Sequence, residues 1–269
     1  MTRDFEGKVA IVTGAGAGIG RAAALLLAER GATVVVADLH AQTATEVVAE
    51  ITAGGGDAMA IVGDLSDQTV VDNLVSETVD TYGGVDVLIN NAGIMDDMSA
   101  PHEVSDAVWE RVLRVNLTAP FLLIRAVVPH MLARSRGAIV NTTSEAGLRG
   151  SAAGTAYTVS KHGVIGLTRS AAVIYRDQGI RVNAVAPGGV ATSLEVNVKS
   201  DAMGLAVIGG YNANVGRIAR AEELAAAIVF LASDAASNIS GAIVPVDNGW
   251  SAISNARRSA RRHATPSPR

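Results

Sequence analysis

The stretch TGAGAGIG, residues 13–20, lies between a strand-like apolar run and the first helical pattern of the chain. A nucleotide pyrophosphate needs backbone N–H groups that point at it and no side chains in the way. Glycine permits that close approach, and the N-terminus of the following helix adds the positive end of its dipole. The spacing G-x-x-x-G-x-G leaves a purely structural turn as the alternative, but the position favours nucleotide binding. The residues predicted to form this site are Gly14, Gly16, Gly18, Ile19 and Gly20.

Apolar runs of strand length alternate with helical patterns on both sides of this turn. The runs are rich in β-branched residues and nearly continuous, which is typical of strands buried on both faces. They cover 8–13, 33–38, 58–63, 85–91, 138–143, 181–186 and 242–246. Helical patterns fill 18–30, 41–53, 67–82, 105–134, 155–178 and 222–233. This alternation predicts an α/β chain with a three-layer, doubly wound (Rossmann-type) fold.

Composition narrows the class of protein further. The 269 residues are 49% hydrophobic and 18% charged, which excludes a mostly disordered chain. Aromatic residues are only 3%, so aliphatic side chains must build the core. The absence of cysteine excludes disulfides, thiolate metal ligands and cysteine nucleophiles, and no metal site is predicted.

Charge and hydropathy indicate a cytoplasmic protein that binds neither nucleic acid nor a membrane. Breakers or charges interrupt the apolar stretches before 18 residues, and the first residues show no signal-peptide core. Five arginines and no acid lie in residues 257–269, which leaves a net charge of −9 on residues 1–256. We interpret 1–256 as one catalytic domain and 257–269 as a basic, disordered tail, with an anionic partner as the alternative for the tail.

An acidic residue ends the second predicted strand and bears on the choice of nucleotide. The carboxylate of Asp38 can accept hydrogen bonds from both hydroxyls of an adenosine ribose. It would repel a 2′-phosphate by ~4 kcal/mol at ~4 Å and an effective dielectric of ~20. Residues 17, 39 and 40 are not basic, so the sequence predicts NAD(H) rather than NADP(H). A cap for helix 41–53 is the alternative role of Asp38.

Polar residues also follow the third and fourth predicted strands. Asp64 and Leu65 could meet the adenine, although Asp64 could equally cap the helix 67–82. Asn90 comes next along the chain, and the following residues could either bind ribose or lock neighbouring strands together. The residues predicted at this second position are Asn91, Ala92 and Gly93.

Four residues form a candidate catalytic group. Tyr157 and Lys161 are four residues apart on a predicted helix and therefore share one face. A nearby ammonium and a positive nicotinamide ring would lower the pKa of the phenol, so that Tyr157 could exchange a proton with a ketone or an alcohol. Ser144 could hold the substrate oxygen, and Asn116 could hold a proton-conducting water. Each residue has a structural alternative. Tyr157 could be a packed aromatic and Lys161 a solvated lysine. Ser144 could be a cap, and Asn116 could bond a helix carbonyl.

Together these motifs resemble those of the short-chain dehydrogenase/reductase family. TGAGAGIG at 13–20, NNAG at 90–93, Asn116, Ser144 and YTVSK at 157–161 occur in the family order, and the resemblance covers about residues 5–250. It implies a seven-stranded parallel sheet, hydride transfer to or from a nicotinamide, and an Asn-Ser-Tyr-Lys tetrad. It also implies a homotetramer and a nicotinamide-binding segment that contains Pro187, Gly188, Val190 and Thr192.

One departure from the family pattern is Asn248, which stands where a glycine is usual. Asparagine tolerates positive φ, so the turn is expected to survive. The tail after about residue 254 has no family counterpart.

The substrate region is predicted least sharply. It includes Met95, Glu145, Leu148, Gly189 and an irregular, partly apolar loop at about 190–216. Glu145 could bind a substrate hydroxyl or amine, or pair with Arg149. The leading interpretation is an NAD(H)-dependent enzyme that interconverts a secondary alcohol and a ketone. A 3-ketoacyl-(acyl-carrier-protein or CoA) reductase is the alternative, and a non-catalytic nucleotide-sensing protein is a minor one.

Overall fold

Seven short strands form one parallel sheet in the order β3-β2-β1-β4-β5-β6-β7. The computed structural model describes residues 3–192, 198–212 and 215–253. All seven predicted strands are present, which confirms the α/β fold class. Their bounds are β1 (Val9–Thr13), β2 (Thr33–Asp38), β3 (Ala58–Val62), β4 (Val87–Asn90), β5 (Gly137–Thr142), β6 (Ile180–Pro187) and β7 (Ile243–Val246).

Helices connect the strands and cover both faces of the sheet. In the described residues they are α1 (Gly18–Glu29), α2 (Ala41–Ala53), α3 (Gln68–Tyr82), α4 (Asp106–Leu113), α5 (Ala119–Ala133), α6 (Thr155–Tyr175), α7 (Met203–Asn212) and α8 (Ala221–Ala232). The helix predicted at 105–134 is present, but a π-helical turn at Arg114–Thr118 divides it into α4 and α5. Helix α7 lies inside the loop predicted at 190–216, so the described part of that segment is not wholly irregular.

The inner strands are buried on both faces, as their sequences indicate, whereas the edge strands β3 and β7 are partly exposed. On β1, the side chains of Ala10 and Val12 join a cluster with residues of α1, α2 and α8, and Ile11 joins the cluster of the opposite face with residues of α3, α5 and α6. Successive side chains of a strand point to opposite faces, so a run without polar interruptions suits a sheet between two helical layers.

The strand order places a crevice at the carboxyl edge of the sheet. The chain leaves β1 towards β2 on one side and later returns to place β4 on the other side of β1. Ligands of open α/β sheets bind at such a switch point, because the loops after the two strands diverge there.

The joined helix Asp106–Ala133 is long and apolar enough to cross a membrane by length and composition alone. This differs from the prediction that charges or breakers interrupt every apolar stretch before 18 residues. Half of its most apolar window is buried inside the fold, and Leu123, Val127 and Met131 of α5 belong to the core beside the sheet. Its hydropathy is therefore explained by packing within the protein.

Candidate active site

A cleft of about 1330 Å³ opens at the switch point. It receives side chains or backbone from the loops after β1, β2, β4, β5 and β6 and from α4 and α6. The predicted site residues that line it are Gly14, Gly18, Ile19, Asp38, Asn91, Ala92, Gly93, Met95, Ser144, Tyr157, Lys161, Pro187, Gly188, Gly189, Val190 and Thr192. Those absent from its lining are Gly16, Gly20, Asp64, Leu65, Asn116, Glu145 and Leu148.

The glycine turn between β1 and α1 fits a nucleotide phosphate. Gly14 and Gly18 have φ values of +61° and +54°, which favour glycine. A Cβ on Gly20 would lie 2.1 Å from the carbonyl oxygen of Gly14, so this glycine allows close packing within the turn. The N-terminus of α1 has no side-chain cap and no acidic residue in its first turn. Its N–H groups can therefore meet an anion.

The Asp38 carboxylate is fixed by two backbone N–H groups at the cleft wall. Oδ2 accepts a hydrogen bond from the Gly16 N–H at 2.8 Å, and Oδ1 accepts one from the His40 N–H at 3.0 Å. His40, and not Asp38, occupies the N-cap position of α2, so the alternative role as that cap is wrong. Each carboxylate oxygen keeps a lone pair for a further donor.

Asp64 and Leu65 lie outside the cleft. The Asp64 carboxylate accepts hydrogen bonds from the Ser66 N–H and hydroxyl at 2.9 and 2.6 Å, and these bonds lower its pKa. The cap of α3 is Asp67, which accepts from the Thr69 N–H, so the capping role considered for Asp64 is wrong.

The segment after β4 both locks two strands together and lines the cleft. The Thr13 hydroxyl oxygen accepts hydrogen bonds from the N–H groups of Asn91 and Ala92 at 2.9 and 3.0 Å, and Asn91 Nδ2 donates to the Thr13 carbonyl at 3.1 Å. Next to it, Asn90 Nδ2 donates to Asn141 Oδ1 at 2.8 Å. The two roles considered for this segment are therefore compatible.

Ser144, Tyr157 and Lys161 converge in the cleft. The Ser144 hydroxyl oxygen accepts the Ala146 N–H at 3.1 Å and so also caps a short 3₁₀ turn. Lys161 Nζ donates to the Thr142 carbonyl at 3.0 Å and lies 5.4 Å from the centre of the Tyr157 ring. The carboxyl end of β5 and one face of α6 thus bring three polar groups to one place.

Burial controls the protonation of this group. It raises the pKa of Tyr157 to about 12, an effect that the Ser144 side chain partly offsets, and it lowers the pKa of Lys161 to about 8. The expected lowering of the Tyr157 pKa by the ammonium is therefore not found, because desolvation of the phenolate outweighs it. The same expectation included a positive nicotinamide ring, whose charge would have to lower the Tyr157 pKa against the effect of this burial.

Asn116 stands behind the cleft in the π-helical turn. Its Oδ1 accepts the Ile94 N–H at 2.8 Å, and its Nδ2 donates to the Ile94 carbonyl at 2.9 Å and to the Ser160 hydroxyl at 3.2 Å. The bonded carbonyl is in a loop, so the considered bond to a helix carbonyl is wrong. Asn116 instead fastens the loop after β4 to the helix that bears Tyr157.

Asp96 reinforces the same connection. Its buried carboxylate accepts the N–H of Tyr157 at 2.9 Å and that of Met98 at 3.1 Å, and Met98 has a φ of +64°. Gly154, the N-cap residue of α6, has no side chain to cap the helix, and a Cβ there would lie 2.5 Å from the Asp96 carboxylate. The carboxylate therefore caps α6, the helix that bears Tyr157, from another segment. The sequence signal for this role is an aspartate three residues after the NNAG motif.

The segment after β6 forms the far wall of the cleft. The side chain of Thr192 lies 3.4 Å from the position that a Cβ of Gly18 would take, so this segment reaches the glycine turn. Val190 forms a bridge with Ala219, which closes the described part of the predicted loop at its base. Residues 193–197 and 213–214 of that loop, and the tail predicted at 257–269, lie outside the described residues.

Two predicted substrate residues do not reach the cleft. Glu145 is fully buried and its Oε1 lies 2.5 Å from Arg149 Nε, so the ion-pair alternative describes its position. Leu148 follows on the same turn. Trp250 does line the cleft, although it is not among the site residues predicted from the sequence. Because aromatic residues are so scarce in this chain, a tryptophan directly after the Asn248-Gly249 turn was the available signal. Asn248 has the positive φ, +55°, that was expected of it.

Comparisons with known proteins agree with this geometry. A family model described as short chain dehydrogenase matches residues 8–203. The chain is 44% identical, over 94% of its length and all of the relative, to a cis-4-hydroxycyclohexanecarboxylate dehydrogenase of Sinomonas cyclohexanicum. It is 41% identical, over 93% of its length and 97% of the relative, to a cyclohexanol dehydrogenase of Acinetobacter sp. (strain SE19).

A solved structure is similar over the same range. It is that of a putative NAD(P)-dependent gluconate 5-dehydrogenase from Beutenbergia cavernae with NADP bound at low occupancy, at 41% identity and a TM-score of 0.83 over 94% of this chain and all of that one. The family model, the two relatives and the shared fold lead to one conclusion: this chain is a member of the short chain dehydrogenase family.

Proposed function

We propose that the protein is an NAD(H)-dependent oxidoreductase that interconverts a secondary alcohol and a ketone, with Tyr157 as the acid/base. The observation that carries this proposal is the convergence of Tyr157, Ser144 and Lys161 beside the glycine turn in one cleft. A proton-exchanging phenol next to a nucleotide-sized cleft is what ketone reduction requires.

Each polar group has a distinct task in this mechanism. The Ser144 hydroxyl orients the substrate oxygen, and the Tyr157 phenol gives a proton to a ketone oxygen or takes one from an alcohol. With its pKa raised to about 12, the phenol is protonated at neutral pH and is ready to donate. Lys161 holds a positive charge near the ring that favours the phenolate left after donation. When bound, the nicotinamide accepts or supplies the hydride.

The cofactor would lie along the cleft from the glycine turn to the segment Pro187–Thr192. The α1 N-terminus receives the pyrophosphate, and Asp38 receives the adenosine ribose hydroxyls. Because Asp38 is an acidic group held in place at the cleft wall, a 2′-phosphate would meet a fixed negative charge. This supports NAD(H) over NADP(H), although a similar structure contains NADP.

A cyclic secondary alcohol is the substrate class that we favour. Apolar side chains of Ile94, Met95, Val215 and Ile218 line the cleft. Two relatives are named for cyclohexane-ring alcohols. The 3-ketoacyl thioester alternative stays open, since an apolar cleft also suits an acyl chain.

The test follows NADH oxidation with cyclohexanone and with an acetoacetyl thioester, in the wild type and in Tyr157→Phe. General acid–base catalysis contributes roughly 10²- to 10⁴-fold, so we expect the variant to lose at least 100-fold in kcat. Titration of NADH fluorescence should give the same Kd for both proteins. Undiminished turnover by Tyr157→Phe would refute the assignment, and the better substrate would decide between the two classes.

We further propose that the protein is a cytoplasmic homotetramer. Val173 and Ile174 on α6 are 69% and 61% exposed, and Phe121 on α5 is also exposed. Exposed apolar side chains on these two helices are compatible with an interface between copies of the chain.

A further inference from the structure

The segment after β7 returns to the cleft and contributes a tryptophan to its wall. Trp250 is only 6% exposed, and it is one of two tryptophans in the chain. It belongs to none of the hydrophobic clusters formed by the described residues. A large apolar side chain that is buried at a cleft, and yet outside the core, is placed to meet a ligand.

Arg149 holds Trp250 from the turn that follows Ser144. Its Nη2 donates to the Trp250 carbonyl at 3.1 Å, and its guanidinium lies 5.1 Å from the centre of the indole ring. One residue thus contacts both the backbone and the ring of Trp250. Cation–π contacts of this kind are favoured for arginine over a tryptophan face.

Glu145 holds Arg149 in turn. Its carboxylate is completely buried and lies 2.5 Å from Arg149 Nε, immediately after Ser144 in the sequence. A buried carboxylate without a partner would be strongly unfavourable, so this ion pair holds the guanidinium in position. The Ser144 turn and Trp250 are therefore joined through two side chains.

Asp247 fastens the other end of the segment. Its carboxylate accepts the N–H groups of Gly249 and Ser251 at 3.0 and 2.6 Å, and a Cβ on Gly188 would lie 2.8 Å from Asp247 Cβ. Burial raises the pKa of the neighbouring Glu145 carboxyl, Arg149 lowers it, and the charge of Asp247 raises it again. The turn that bears Trp250 is thus fixed against both Ser144 and Gly188.

We propose that Trp250 is a specificity-determining residue that selects substrates with an apolar ring, and that Glu145 and Arg149 are its positioning residues. Trp250 lines the same cleft as Ser144 and Gly188, so its indole can supply an apolar edge to a ligand there. A saturated ring gains more by covering this edge than a small acyclic alcohol does. The proposal rests on the alcohol dehydrogenase function proposed above.

The first experiment measures selectivity as the ratio of kcat/KM for cyclohexanol to that for 2-propanol. Trp250→Ala removes the apolar wall, and we expect the ratio to fall at least tenfold, mainly through the KM for cyclohexanol. The matched control is Trp109→Phe, a change at the other tryptophan, for which the ratio should stay within about twofold. An unchanged ratio in Trp250→Ala overturns the proposal.

The second experiment tests the positioning role by fluorescence. In the Trp109→Phe background Trp250 is the single tryptophan, and cyclohexanone, whose carbonyl group quenches indole emission on contact, should quench its emission at equilibrium. Arg149→Met and Glu145→Gln should shift the emission maximum to longer wavelength and lower the selectivity ratio, and Arg149→Lys should restore part of both. Wild-type emission and selectivity in Arg149→Met would overturn the positioning role.

The two proposals fail in different ways. If the wild type turns over neither alcohol, the proposed function has failed, and the quenching measurement alone decides whether Trp250 contacts an apolar ring. Turnover of cyclohexanol without quenching, and with an unchanged ratio in Trp250→Ala, keeps the enzyme and overturns the role of Trp250. Absence of quenching in a protein without turnover also overturns it.

Discussion

Two backbone N–H groups hold the carboxylate of Asp38, so its charge cannot turn away from a nucleotide in the cleft. Asp38→Asn keeps the shape of the side chain and removes the charge. We expect the ratio of kcat/KM for NADP to that for NAD to rise on the order of 1000-fold, as the ~4 kcal/mol repulsion is relieved. Asp80→Asn removes an equal charge from the exposed surface of α3 and is the control. An unaltered preference in Asp38→Asn would show that another group chooses the cofactor.

Lys161 makes stability depend on pH. Because burial lowers its pKa from 10.5 to about 8, the unfolded chain binds this proton more tightly than the folded protein does. The folded state is therefore penalised below pH 8, and the penalty disappears as pH rises through 8 to 10.5.

Lys161→Met removes this penalty and provides the test. The variant should therefore gain more stability over wild type at pH 7 than at pH 10.5. The unfolding free energy of the variant minus that of wild type should fall by on the order of 3 kcal/mol between these two pH values. Urea unfolding at the two pH values, without nucleotide, measures the difference. If the variant and wild type differ in unfolding free energy by the same amount at pH 7 and pH 10.5, the buried charge of Lys161 is contradicted.

The sequence could predict those candidate site residues whose positions follow from the order of strands and helices along the chain. Ser144, Tyr157 and Lys161 lie near one strand end and on one helix face, so their convergence follows from the fold. Glu145 and Trp250 could not be placed in the same way. Whether a carboxylate faces the cleft or an arginine, and where a C-terminal turn returns, depend on packing between segments that are distant in sequence.

At the scale of elements, the β1–α1 turn depends on the absence of a side chain at Gly20. Gly20→Ala would place Cβ 2.1 Å from the Gly14 carbonyl oxygen and 2.6 Å from Asn91 Nδ2, and backbone cannot give way cheaply. We expect a loss of at least about 2 kcal/mol in unfolding free energy.

Gly166→Ala is the matched control, since its new Cβ would meet nothing within 4 Å on α6. An alanine there should stabilise the helix by up to about 1 kcal/mol. Calorimetric melting of both variants makes the comparison, and equal shifts in Tm would contradict the steric account.

The strands could be predicted because continuous β-branched runs leave little choice in a buried parallel sheet. Helix α7 was not predicted. Leu205 and Ile208 are three residues apart and pack against a core cluster, but the exposed Met203 and Val207 and three glycines obscure that pattern in the sequence. Gly204 lets the helix approach the loop before α4, where a Cβ would lie 2.2 Å from the Met98 carbonyl oxygen. A close approach of this kind leaves no periodic signal.

At the scale of the whole molecule, the exposed apolar side chains on α5 and α6 predict assembly. Light scattering after size-exclusion chromatography should give about 110 kDa, four times the 27.4 kDa of one chain. Val173→Glu should reduce this mass, because a charge within an apolar interface is costly. Val62→Glu, at the exposed edge strand β3, is the control and should leave the mass unchanged. A 27 kDa wild-type species would rule out the tetramer.

The π-helical turn at Arg114–Thr118 has a consequence for how the chain tolerates deletions. A residue advances an α-helix by about 100°, so removing one from this turn would rotate α4 and α5 against each other by that angle. Val112 packs at the cleft and Leu123 packs in the core. After such a rotation at least one of them would lose its neighbours. The extra residue of the π-helical turn sets the rotation between α4 and α5, so that one continuous helix packs both at the cleft and in the core.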